Sequence, residues 1–320
     1  MIEPNMDNNP EISPEEVSTN KRIRQIAWMV IAAMLIFLLG LGSGYLQWGR
    51  DETAKHKQEK ETASLYEQVN PKSGYKLPIS YGNLGPQLIK GGVIDYDAFA
   101  AIYENSGNPL SSEQIDILKK GSDQEIVINS QNAHLLLNFF WAVGLANKNP
   151  ILTDGPMMQY GPDQVVKFAS TGGWGLATKP VNQLYASMNL ISLTAEQQKL
   201  VQDVAGQIYR PCCNNHTAFP DCNHGMAMLG ILEVMASHGA TETQMFEAAK
   251  YINAYWFPQQ TLEMALYLKA NQNIEFAAAD SKLVVGSQLA SASGAQLIHA
   301  DLQSKGILQR APGQGGGCSN

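Results

Sequence analysis

Residues 132–146 read N-A-H-L-L-L-N-F-F-W-A-V-G-L-A. Apolar side chains fall on every face of a helical wheel, with none of the period-two alternation of a half-buried strand. A helix that is apolar all round has to be enclosed by protein. This one is too short to cross a bilayer comfortably, which takes about 20 residues. The stretch therefore predicts a buried helix.

The flanking sequence supports a helical body. Helix patterns recur at Asp95–Ser106, from Leu110 onward, and at Asp163–Ser170, Thr194–Tyr209, Gly225–Ser237, Thr243–Trp256, Thr261–Ala270 and Ser281–Gln303. The L-S-S-E run at 110–113 carries capping chemistry for a helix start. Alternating β-branched runs are almost absent, so the body reads as all-α. Residues 71–95 are broken up by Pro71, Gly74, Pro78, Gly82, Gly85 and Pro86 and read as an irregular lead-in.

Three blocks recur in the same order. L-S-S-E-Q at 110–114 parallels L-T-A-E-Q at 193–197. N-A-H at 132–134 parallels C-N-H at 222–224. D-Q-V-V-K-F-A at 163–169 parallels T-Q-M-F-E-A-A at 243–249. The expectation is two duplicated helical units, 93–190 and 191–308, closed into one pseudo-symmetric bundle.

Ahead of the body, no residue from Gln25 to Gly49 is charged. Residues 26–48 are long and apolar enough for a single transmembrane helix, with Trp28 near one end and Tyr45 and Trp48 near the other. A cleaved signal peptide fits less well, because the apolar run is long and no A-x-A site follows it. Lys21, Arg22 and Arg24 form a tight basic cluster, whereas Arg50, Lys55, Lys57 and Lys60 are interspersed with Asp51 and Glu52. We therefore expect residues 1–25 as a disordered cytoplasmic tail and the body on the extracytoplasmic side. Residues 49–92 would be a juxtamembrane stalk and lead-in, and 309–320 a flexible glycine-rich tail.

The formal net charge is −7 and no basic patch stands out, so nucleic acid is not an expected partner. No Ser-His-Asp signature, HExxH or phosphate-binding loop is present, and the G-G-W-G run at 172–175 reads as a helix break. Nothing in these patterns commits the chain to being an enzyme.

The chemistry-bearing stretch is 210–228, R-P-C-C-N-N-H-T-A-F-P-D-C-N-H-G-M-A-M. It holds three of the four cysteines and two of the six histidines. Cys213 and His216 lack the first thiol of a c-type haem signature. Three readings compete. In the first, Cys212, Cys213, Cys222 and His224 bind one soft or borderline metal ion. Zinc would suit a closed tetrahedral site; copper would suit an open sulfur-rich one, with Met226 or Met228 as a thioether. Against it, adjacent cysteines do not both reach one ion comfortably. In the second, Cys222 pairs with Cys212 or Cys213 in a disulfide that staples a helical scaffold without chemistry. In the third, the thiols exchange, with Cys222 activated at a helix N-terminus capped by Asp221 or Asn223. Cys318, on the glycine-rich tail, could reach back to the cluster. His134 reads as a core histidine, and Y-W-F-P at 255–258 as an aromatic helix end in the core.

Overall fold

The computed structural model describes residues 14–308. The expected tail at 309–320, with Cys318, lies outside them, as does the start of the N-terminal tail. The chain divides into two units, residues 1–61 and 62–320.

In the first unit the helix α1 (Pro14–Val69) begins. It starts ahead of the expected membrane span, so residues 14–25 are helical where a disordered tail was expected. It also runs through the charged stretch read as a stalk. From Lys21 to Gly42 it is long and apolar enough to cross a membrane, and its side chains there are exposed; a signal sequence meets the same criterion.

The second unit follows in the order β1 (Tyr75–Gly82), α2 (Leu84–Gly91), α3 (Tyr96–Asn105), α4 (Ser112–Lys120), β2 (Ser122–Ile128), α5 (Ala133–Ala146), α6 (Pro150–Thr153), α7 (Pro162–Val165), α8 (Ala169–Gly172), α9 (Ala195–Ala205), α10 (Asn223–Ser237), α11 (Glu242–Trp256), α12 (Pro258–Gln272), α13 (Ser281–Val284), α14 (Ser287–Ala290) and α15 (Ala292–Ser304). The described structure is mostly helical, 64% helix against 6% strand.

That 6% corrects the all-α expectation. β1 and β2 pair antiparallel, with Tyr75 opposite Ile128 and Leu77 opposite Ile126. In β1, Leu77, Ile79 and Tyr81 point into the core while the residues between them do not. Pro78 and the glycines suggested irregular chain, but Pro78 sits where the register shifts, between Leu77 and Ser80. A bulge in a two-stranded sheet, where both strands are edges, is a place that tolerates proline. A second correction concerns 281–303, which is three helices and not one. Gly286 and Ser291 break it, and the Ser291 hydroxyl accepts from Gly294 N to start α15.

Helix starts follow their capping residues. Ser111, Thr194 and Thr241 each form a capping box with a glutamine three positions on, Gln114, Gln197 and Gln244. At the first of these the reciprocal partner is Gln114, not Glu113.

Helix α5 is central, as its composition requires. All its residues except His134 and Trp141 are buried. It packs on α10, which is buried from Gly225 to Ala236. The two backbones approach closely at glycines. A Cβ on Gly144 would stand 2.1 Å from the Met226 carbonyl oxygen, and one on Gly230 would stand 2.6 Å from the Phe140 carbonyl oxygen. No side chain fits there unless the helices move apart. Gly144→Ala should therefore destabilise the chain by about 1–3 kcal/mol. Denaturant unfolding checks this, and an unchanged midpoint would mean that the helices do not meet here. A smaller core joins Leu65 and Val69 at the end of α1 to α11, α12 and α15.

Candidate functional site

The three described cysteines lie in the loop between α9 and α10. The loop has no ladder of its own and is folded by local hydrogen bonds. Thr217 N reaches the Ile208 carbonyl oxygen at 2.8 Å, and Ala218 N reaches that of Ala205 at 3.0 Å, so the chain doubles back. The start of α15 holds it from outside. Ala292 N donates to the Cys213 carbonyl oxygen at 2.9 Å, and Ser293 N donates to Asn214 Oδ1 at 2.9 Å.

The centre of the loop is Arg210, which is 1% exposed. Its guanidinium donates to Asn215 O at 2.8 Å, Phe219 O at 3.3 Å, Asp221 Oδ1 at 2.6 Å and Cys222 Sγ at 3.2 Å. Asp221 also accepts from Asn215 Nδ2 at 2.8 Å. A fixed planar fork of donors suits this position, because it satisfies carbonyls that no helix or strand supplies with partners. Gly225 makes room for it, since a Cβ there would stand 2.5 Å from Arg210 Nη2.

Cys222 is itself the N-cap of α10, a role the sequence suggested for Asp221 or Asn223. Its sulfur accepts from Gly225 N at 3.4 Å. Cys212 Sγ stands 3.5 Å from Cys222 Sγ. All three described cysteines are free thiols, with Cys212 exposed and the other two half-buried. Hydrogen bonds from Cys212 and Cys213 hold the Cys222 thiol well below the usual thiol range; His224 and Arg210 add to this, and burial opposes it. Cys212 shifts up, because of its hydrogen bonds to Cys213 and Cys222 and its burial. For Cys213 the Cys212 hydrogen bond pulls down, but Cys222 and burial push it up to about 11. Cys222 thus sits at the positive end of α10 and beside the guanidinium, both of which favour its thiolate over those of its neighbours.

The four residues predicted as ligands are brought together as two overlapping groups that share Cys222. Ligand atoms of Cys212, Cys222 and His224 all lie within 4.8 Å of one another, and so do those of Cys213, Asp221 and Cys222. Cys213 Sγ lies 3.9 Å from Asp221 Oδ1 and 3.8 Å from Asn215 O. Two thiolates on one tetrahedral zinc, each at about 2.3 Å, stand roughly 3.8 Å apart. The Cys212–Cys222 spacing is close to that.

His224 is backed by the aromatic end of α11. Its ring lies 4.5 Å from that of Phe257 and 5.6 Å from that of Trp256. Trp256 is anchored by its indole N–H, which donates to the Ala133 carbonyl oxygen at 3.1 Å. His216 belongs to neither group: its Nδ1 is buried without a partner, and its ring lies 6.0 Å from Tyr209. Met226 and Met228 are buried in the apolar core. His134 is exposed, not a core histidine; its Nε2 lies 3.3 Å from Asn138 Nδ2.

Sequence reading missed Arg210 as the organiser. The signal was there in part: an arginine next to Pro211, followed by a polar loop containing Asp221 and by Gly225. What no local pattern shows is that the side chain turns inward. Comparison with protein-family models, with curated proteins and with solved structures gives no match.

Proposed function

We propose that this chain is a membrane-anchored protein, with its body outside the cytoplasm, that binds or handles a soft or borderline metal ion, copper or zinc. Cys212, Cys222 and His224 are the ligands, and Cys213 stands beside them facing Asp221. The observation that carries the reading is the convergence of two sulfurs and one imidazole nitrogen within 4.8 Å at the start of α10. Two thiolates and an imidazole suit Cu(I) in three-fold coordination, or Zn(II) with one position left for an exogenous ligand. The buried guanidinium offsets the negative charge gathered there. The anchor is α1, whose apolar stretch has no charged residue through its middle.

We also read the body as two copies of one helical unit. Aligned on His134 and His224, α5 and α10 place Phe140 opposite Gly230, and these two positions touch across the helix pair. A pseudo-two-fold axis through that crossing would require such a contact.

The metal reading is tested on the full chain, purified in detergent without oxygen and offered Cu(I) or Zn(II). We expect about one ion per chain by elemental analysis. Binding should be lost in Cys212→Ser and Cys222→Ser and kept in Cys213→Ser. A wild-type chain that retains neither ion would refute it.

A further inference from the structure

The two sulfurs that face each other have a second chemistry open to them. A disulfide needs about 2.05 Å between sulfurs, so Cys212 and Cys222, at 3.5 Å, need only a small side-chain movement. The loop between them does not have to be gathered first. Thr217 and Ala218 already tie its middle back to Ile208 and Ala205, and α15 holds Cys213 and Asn214. Nor does the reduced loop lack order, because Arg210 and the Asn215–Asp221 contact hold it without a cross-link. A disulfide that alone orders its loop is structural, whereas this loop is ordered without one. Arg210 Nε and Gly225 N both donate to Cys222 Sγ in the reduced form. Stabilising the reduced form is what makes a disulfide easy to reduce.

We propose that Cys212 and Cys222 carry out reversible thiol–disulfide exchange with small dialkyl disulfides, Cys212 reacting first and Cys222 resolving. Exposure sets the order: Cys212 is open to solvent and Cys222 is half-buried behind it. Cys212 hands its proton to the Cys222 sulfur 3.5 Å away and attacks one sulfur of RS–SR. A Cys212–SR bond forms, the S–S bond of the reagent breaks, and RS⁻ leaves, taking a proton from solvent as RSH. The Cys222 sulfur then attacks Cys212 Sγ. The Cys212–SR bond breaks, the second RS⁻ leaves as RSH, and a Cys212–Cys222 disulfide remains. The two cysteines lose two electrons and one proton, solvent supplies the other proton, and the reagent gains them. Cys213 is placed less directly: its sulfur is shared between Asn215 O at 3.8 Å and Asp221 Oδ1 at 3.9 Å, whereas the Cys212 and Cys222 sulfurs stand 3.5 Å apart. This activity goes beyond the metal reading and does not depend on it, though it uses two of the same sulfurs.

The experiment uses the full chain in detergent, reduced and freed of metal with a chelator. Oxidised glutathione is added, thiols are blocked at intervals, and the peptides are mapped by mass spectrometry. The expected result is a Cys212–Cys222 cross-link that excess reduced glutathione reopens. Cys222→Ser should trap a glutathione adduct on Cys212, and Cys213→Ser should behave as wild type. Should Cys222→Ser not fold, wild type and Cys213→Ser alone still decide. Persistent adducts on wild-type Cys212, a cross-link that uses Cys213, or one that glutathione cannot reopen would each overturn the proposal. Metal content is measured on the same reduced preparation, before the chelator and after ion is offered again. A chain that cross-links but holds no ion loses the metal reading alone; one that holds an ion but never cross-links loses the exchange alone.

Discussion

Arg210→Met is expected to lower stability by about 3–5 kcal/mol, the usual cost of removing one partner from a buried ion pair. Arg210 is almost fully enclosed, and its guanidinium serves two backbone carbonyls, one carboxylate and one sulfur. Methionine fills much of the space and replaces none of the donors. Asn215 O is left with only the weak Cys213 thiol, Phe219 O keeps only Asp221 N, and the Asp221 charge loses its cation. The Asp221 side chain is 20% exposed, so water relieves part of the loss and places the effect toward the lower end of the range. The functional consequence is larger than the energetic one. The guanidinium is the group that links Asn215, Phe219 and Asp221 to Cys222, and the remaining ties, at Thr217, Ala218, Cys213 and Asn214, do not reach that sulfur, so Cys212 should leave Cys222. We expect both ion retention and the Cys212–Cys222 cross-link to be lost. Arg210→Lys should recover little, since one ammonium cannot span the same set of acceptors. Urea unfolding and peptide mapping check the two halves. A methionine variant as stable as wild type would show that the guanidinium does not organise the loop.

The second large effect depends on pH and lies elsewhere in the body. Glu233 on α10 is completely buried. Oε2 accepts from Asn147 Nδ2 at 3.0 Å, and Oε1 accepts from Asn149 Nδ2. Both amides are fixed from behind. Asn147 Oδ1 accepts from Leu190 N and Ile191 N, and Asn149 Oδ1 accepts from Ile151 N and Gln198 Nε2. The carboxyl therefore ties the chain after α5, the segment before α9, and α9 itself to α10. Burial pushes it up to about 8 from an ordinary 4.5, and the two amide hydrogen bonds work against that rise. Between those values the folded chain holds one proton more than the unfolded chain. The contribution is thus complete below about pH 4.5 and falls as pH rises, by at most about 1.4 kcal/mol per pH unit, until it levels off above about pH 8. Wild type should lose several kcal/mol between about pH 5 and pH 8 relative to Glu233→Gln, which cannot ionise. The difference between the two unfolding midpoints across pH is the measurement. A constant difference would mean that Glu233 keeps one protonation state throughout.

How much of this was legible before folding varies with the physics involved. The α5 stretch declared itself, because a helix apolar on all faces can only be enclosed. The starts at Ser111, Thr194 and Thr241 were legible in kind, because capping is settled within four residues. β1 was not, because three inward residues interrupted by Pro78 and flanked by glycines carry a weak strand signal, and only pairing with β2 across more than one intervening helix makes them a strand. The break-up of 281–303 was hidden for a similar reason: the composition permits one helix, and packing selects three.

The sequence by itself determined that α1 carries an apolar stretch of membrane-spanning length, that the body is mainly helical, and that thiols and imidazole gather in one loop. These are properties of composition and of neighbours along the chain. Only the tertiary structure decided that Cys212 faces Cys222 while Cys213 turns to Asp221, that Phe257 and Trp256 back His224, and that Arg210 points inward to hold the loop. Each of those depends on groups distant in sequence meeting in a space with little water, where an unpartnered donor, acceptor or charge is too unfavourable to leave unmatched.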